Sequence, residues 1–248
     1  RAVGSSQSVS GPLVAMNTML ADSLGWIADK LELALSGGKN TTDSVISVLQ
    51  ELMQQHGNVV FGGDGYSAEW HKMAVEERGL KNIPTTADAL PALREESVKA
   101  LFTRTGVLSA VELESRFEVY AEQYLLSIEV EAKLVVDMAK TLIYPAAMDY
   151  LAALSGTSAG MAAMGIELDN ATAKVVAAHT NAMMLAVGNL SEAIGRHDFG
   201  SIEEHMNFCA GDVRALMDEV RLHADTLEME VADELWPLPK YKEMLFIR

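Results

Sequence analysis

Apolar residues recur every three or four positions along almost the whole chain, the spacing of an amphipathic helix. Leu13, Met16, Leu20, Leu24, Ile27, Leu31 and Leu35 form the first such stripe and predict a helix over 12–35. Pro12 suits its first turn, Ser10 its N-cap, and Gly37-Gly38 its stop. Val45, Ile46, Leu49, Leu52 and Met53 predict a second helix over 42–56, capped by Thr42 or Asp43. Ser67 with Glu69 opens a third over 67–79, its apolar side made by Trp70, Met73 and Ala74. Leu93, Val98, Leu101 and Phe102 place a fourth over 92–104.

The longest pattern starts at Ser109, where Glu112 three residues on completes a capping box. Leu113, Phe117, Tyr120, Tyr124, Ile128, Ala132, Val135, Ala139, Leu142 and Ala146 carry its stripe, predicting a helix over 109–154. Pro145 lacks an N–H and predicts a kink or break. Gly156, Gly160 and Gly165 mark a corner before the next helix, 167–196, whose stripe is Leu168, Ala171, Val175, Ala178, Ala182 and Leu185. The last helix, 201–233, carries Ile202, Met206, Cys209, Val213, Leu216, Val220, Ala224, Leu227 and Val231, a heptad-like rhythm suited to antiparallel packing. Trp236-Pro237-Leu238-Pro239 ends helical continuity and predicts a tail docked on the bundle. The expected fold is all-α, a helical bundle with long antiparallel helices. The expected organisation is a helical region over 1–108 and a bundle domain over 109–248.

Composition narrows the function classes. Lys+Arg is 19 against Asp+Glu 35, a formal net charge of -16, which repels phosphate backbones and argues against nucleic-acid binding. The single Cys fits a reducing, cytoplasmic setting. The least charged stretch, 141–166, is too broken by Pro and Gly for a membrane span. A chain that opens on Arg1, with no Met and no signal-like segment, reads as cut from something longer.

Few residues suggest chemistry. His205 and Cys209 lie four apart on one helix, a spacing two metal ligands can use, but zinc wants four and Cys209 fits a core position. No His is preceded by Glu at the i, i+3 spacing of di-iron bundles. His56 suits the negative end of its helix. Gly62-Gly63-Asp64-Gly65-Tyr66-Ser67 looks like a phosphate loop only superficially, since no Gly-Lys-Ser/Thr follows; a tight turn with positive φ fits better. The acids from Glu112 to Glu131 sit mostly off the apolar stripe, as a solvated face does.

The motifs in their joint order resemble one family. Arg1-Ala2-Val3-Gly4-Ser5-Ser6-Gln7-Ser8 before a Pro-headed helix, Phe61-Gly62-Gly63-Asp64-Gly65-Tyr66-Ser67-Ala68-Glu69-Trp70, Gly79 to Pro91, Glu114 to Glu118, Asp137 to Ala146 and the Trp236-Pro237 tail are similar to type III (long-chain) glutamine synthetases. The resemblance implies the C-terminal portion of an ATP-dependent glutamate–ammonia ligase of nitrogen assimilation. It further implies Mg2+ or Mn2+, glutamate, ammonia and ATP as ligands of the intact enzyme, and a homo-oligomer. The metal ligands and nucleotide site would lie upstream; the segment alone would be inactive and supply stability and subunit contacts. Arg1 would hold a substrate carboxylate or the transferring phosphate, the one site residue the resemblance carries over. A self-standing helical binding or oligomerisation module, sharing ancestry but no chemistry, is the alternative.

Overall fold

The structure is a computed structural model that describes residues 8–245, with Lys242 by its backbone only. Among the described residues there is no strand, and the chain is all-α. Eleven α-helices are described: α1 (Ser10–Ser36), α2 (Thr41–His56), α3 (Ala68–Glu76), α4 (Thr86–Ala89), α5 (Glu96–Arg104), α6 (Ala110–Met138), α7 (Tyr144–Ala163), α8 (Ala171–Ile194), α9 (Ile202–Phe208), α10 (Arg214–Glu230) and α11 (Tyr241–Leu245). Two compact units divide between Val119 and Tyr120, within α6.

In the first unit the helix starts are set by side chains that accept otherwise orphaned N–H groups. Asn40 caps α2 by accepting from Asp43 N at 2.9 Å, so the cap precedes the expected Thr42 or Asp43. Ser67 accepts from Trp70 N at 3.1 Å and Thr85 from Asp88 N at 3.1 Å. Ser109 and Glu112 close the expected capping box: Ser109 N donates to the Glu112 carboxylate at 2.8 Å, and Glu112 N to the Ser109 hydroxyl at 3.3 Å. Ser10 does not cap α1; it is already helical, Val9 stands before it, and no side chain takes the role. The predicted helix over 92–104 begins later, because Pro91 falls in a 3-10 turn, Leu90–Arg94, ahead of α5.

This unit has a thin interior. Phe102, Leu113 and Phe117 are its large buried side chains, and α1, 27 residues long, buries only Thr18. The buried hydroxyls of Thr18 and Ser44 are satisfied within their own helices, on Val14 O and Asn40 O. Arg104 of α5 grips Asp22 of α1 with two hydrogen bonds, 2.8 and 2.6 Å, and Lys30 reaches Glu51 of α2 at 2.7 Å.

The second unit has a continuous core. Val176, Met183, Val187 and Leu190 of α8 meet Val220 and Leu227 of α10, with Ala132, Ala139, Ile143 and Ala147 behind them. The alanines let helix axes approach closely. α8 and α10 run antiparallel: His179, early in α8, meets His223, late in α10, whereas Ala193 shares a groove with Val213. Val231 and Trp236 close the far end, and Lys240 pairs with Asp233 at 2.8 Å, so the tail docks through Trp236. Tyr241 is exposed.

Four expectations need correction here. Pro145 does not break the long helix. It stands in the first turn of α7, directly after a π turn, Ala139–Ile143, that joins α6 to α7. The extra residue moves the buried position from Leu142, which is exposed, to Ile143, which is not. The Gly156 and Gly160 corner is helical. Each glycine costs about 1 kcal/mol against Ala, which an alanine-rich 20-residue helix absorbs. The stop comes at Gly165, φ 77°, where Ile166 N closes back on Met161 O at 3.0 Å. The inward face of α8 is also not the expected one: Leu168, Val175 and Leu185 are exposed, and Val176, Thr180, Met183, Val187 and Leu190 are buried. The last predicted helix divides into α9, a π turn (Cys209–Val213) and α10, with its expected stripe turned inward.

Candidate functional site

Arg1, the one site residue implied by resemblance, lies outside the described residues. Several described motif residues have a mechanical role. The ring of Phe61 stacks on Trp70 at 3.7 Å, inclined 15°. The Arg78 guanidinium lies 5.1 Å from the Trp70 ring centre and donates to Val60 O at 2.7 Å. Asp64 turns the loop by accepting from Tyr66 N at 2.9 Å. None of Gly62, Gly63 and Gly65 has the positive φ expected of them. Gly63 is glycine for another reason: a Cβ there would stand 2.5 Å from the edge of the Phe61 ring. The loop is a buttress between α2 and α3.

Arg94 is the main charged anchor beside α6. It binds both carboxylate oxygens of Glu114, and its guanidinium lies over the Phe117 ring. The Arg94 hydrogen bond holds the Glu114 carboxyl below the usual carboxylate range.

In the second unit, Glu129, Arg196, His197, His205 and Cys209 border a shallow groove. Glu129, Arg196 and His205 are already engaged. Glu129 is paired with Lys133 at 2.8 Å, and Arg196 with Asp198 at 3.1 Å, while Arg196 also lies 5.0 Å from the rings of Phe199 and Phe208. His205 stacks flat on Phe199 at 4.2 Å. Burial, and then the nearby His197, push the His205 pKa down. Burial pushes the Cys209 thiol up, opposite to what a nucleophile or metal-bound thiolate needs. Cys209 is a core residue, as its stripe position implied. Among the described residues no three His, Cys, Asp or Glu side chains converge as a metal site.

One pairing escapes sequence reasoning. His179 Nδ1 and His223 Nδ1 are 3.1 Å apart, across α8 and α10, with ring centres 5.2 Å apart. The available signal was positional: each lies three residues from a core position, His179 after Val176 and His223 after Val220.

The first unit also presents an outward apolar face. Leu13, Met16, Leu20 and Leu24 of α1 are 52 to 56% exposed, and Val59 and Val60 about as much.

The glutamine synthetase C-terminal domain family model matches residues 44–162. The type-3 glutamine synthetase of Dictyostelium discoideum is 35% identical over 259 aligned positions, covering 100% of this chain and 35% of that protein. A glutamine synthetase of Bacteroides fragilis (strain YCH46) is 28% identical, again over 100% of this chain and 35% of its own length. One from Butyrivibrio fibrisolvens is 29% identical over 87% of this chain and 31% of its own length. This chain belongs with the C-terminal part of the type-3 glutamine synthetases. The segment spans about a third of the length of these curated relatives. The family match covers the Phe61–Trp70 buttress, the Arg94 anchor and both sides of the first π turn. No helix among the described residues is long and apolar enough to cross a membrane.

Proposed function

We propose that this segment is the helical C-terminal portion of an ATP-dependent glutamate–ammonia ligase, which it stabilises and joins to neighbouring subunits. The observation that carries this reading is the 35% identity to a type-3 synthetase across the entire chain. In this reading glutamate, ammonia, ATP and Mg2+ or Mn2+ bind outside the described residues of the segment. Phosphoryl transfer needs carboxylates that clamp the metal ions on the phosphates. The described acids do not converge for that, so they do not fit as the metal site, and the ligands come from the remainder of the enzyme. Arg1 is the exception: its planar fork holds a substrate carboxylate or the transferring phosphate as negative charge moves. The outward apolar residues of α1, with Val59 and Val60, support a role in subunit contact within a homo-oligomer. The single buried thiol accords with a cytoplasmic enzyme.

The test has two arms. The 248-residue chain, given glutamate, ammonia, ATP and magnesium or manganese, forms no glutamine; activity that tracks the chain through purification overturns the reading. In a full-length synthetase carrying this segment, Arg1→Ala depresses turnover far more than it changes the unfolding midpoint. Unchanged kinetics for glutamate and ATP would remove Arg1 from the site. Size exclusion of the chain shows self-association; a strictly monomeric chain argues against the contact role.

A further inference from the structure

The His179–His223 pair is not used by the function proposed above, and it is unusual chemically. Two Nδ1 atoms at 3.1 Å can hydrogen bond only when one carries the proton and the other offers its lone pair. Both nitrogens therefore address the same small gap between α8 and α10. The framework around that gap is stiff. Val176 and Met183 flank His179 at positions fully buried in the core, and Val220 and Leu227 flank His223 in the same way. The two imidazoles themselves are half-buried, so solvent reaches them.

We propose that His179 and His223 bind one borderline divalent transition-metal ion, of the Zn2+, Ni2+ or Cu2+ class, through their Nδ1 atoms, clamping α8 to α10. The spacing supports this. Two metal–nitrogen bonds of about 2.05 Å that span 3.1 Å subtend about 98° at the metal, between the square and tetrahedral angles. Both imidazoles bind as neutral ligands. The proton on the donor Nδ1 passes through solvent to Nε2 of the same ring, and the ion releases two of its waters, retaining others. Net charge on the two side chains is unchanged. Imidazole selects this class of ion; the hard Mg2+ prefers oxygen, so the site is independent of any ion on ATP. Long-range electrostatics favour entry, since the chain has a formal net charge of -16. Near His223, α10 carries Asp218, Glu219, Asp225, Glu228 and Glu230 against Arg214 and Arg221.

The experiment is thermal unfolding and isothermal titration of the 248-residue chain with zinc chloride, nickel chloride and magnesium chloride. Zinc and nickel raise the unfolding midpoint to a plateau, as a ligand of the folded state must, and titrate as one ion per chain; magnesium does neither. His179→Gln and His223→Gln each abolish the effect, and His205→Gln leaves it intact. Should either variant fail to give a native circular dichroism spectrum, the other decides by titration. Cu2+ electron paramagnetic resonance then adds nitrogen hyperfine coupling from two imidazoles. No binding of zinc or nickel by the parent chain, or binding that survives loss of either histidine, overturns the proposal.

Discussion

The Arg94 guanidinium lies 3.7 Å from the centre of the Phe117 ring, and Phe117 is fully buried. Arg94 thus covers the aromatic that anchors α6 in the first unit, while Glu114, one turn earlier on α6, holds the guanidinium in place. Phe117→Ala is expected to cost about 3–5 kcal/mol, the range for a buried Phe truncated without collapse. Arg94→Lys keeps the charge but loses the fork and the flat cover, so it also destabilises. Chemical denaturation of the two variants checks both; a Phe117→Ala midpoint equal to that of a surface control would contradict the packing.

Neighbouring positions at the first π turn separate the observed phase from the one expected of a regular helix. Ile143→Ala is expected to cost about 2–5 kcal/mol, and Leu142→Ala to stay within about 0.5 kcal/mol, because Ile143 is 5% exposed and Leu142 40%. Urea unfolding of the pair is decisive, since a regular helix with the sequence-based stripe reverses the order.

Gly63→Ala is expected to destabilise by about 1–3 kcal/mol, as overpacking does. Its methyl meets the Phe61 ring, which cannot yield without leaving Trp70. Gly62→Ala meets nothing within 4 Å and is expected to be neutral. Equal stability of the two variants would mean that the ring is not held.

Acid removes the contribution of the engaged carboxylates. Arg104 holds Asp22 below its ordinary 3.8, the Ser109 N–H holds Glu112 below 4.5, and Arg94 does the same for Glu114. A carboxylate with a depressed folded pKa contributes stability above its unfolded value, and that contribution disappears as pH falls through the folded value. Stability is therefore expected to fall as pH drops through about 4.5 and below. Arg104→Ala should lower stability at neutral pH and flatten the acid limb; an unchanged limb would dissociate Asp22 from it.

His205 contributes in a different window. Its pKa is depressed below 6.5 by burial, so the unfolded chain binds a proton more readily than the folded one. Stability is expected to decline as pH falls below about 6.5, until the folded value is reached. His205→Gln should remove that component from a midpoint-against-pH profile between neutral pH and the carboxylate range.

Legibility of the fold varied with how polar the reverse face of each helix is. From Met206 to Val231 the opposite face carries Glu, Asp and Arg, so one stripe stood out, and it is the buried one. α8 is rich in Ala, Val and Met on several sides. A second three–four series, Leu168 to Leu185, fitted as well as the true series from Val176 to Leu190. Leu216, chosen as a core position, is half-buried and packs against the core edge, so truncating it should cost less than truncating Leu190. Caps at Ser67 and Ser109 were readable because cap chemistry is local. The His179–His223 approach was not, because it joins residues 44 positions apart and depends on how two helices are set face to face.

The π turn at Ala139–Ile143 behaves as a gear between two lengths of rod. In a regular α-helix a step of four residues overshoots a full turn by about 40°. Ala139, Ile143, Ala147 and Leu151, each four after the last, would wind around the rod; the widened turn absorbs one overshoot and keeps that series aimed at the core. The second widened turn, Cys209–Val213, stands in the other rod packed on α8. Each gear holds one extra residue, so taking one out there lets the turn close to a regular α turn with the flanking rods still in phase, whereas a deletion in a regular stretch swings everything beyond it by about 100°; these are the two places where the bundle best tolerates the loss of a residue.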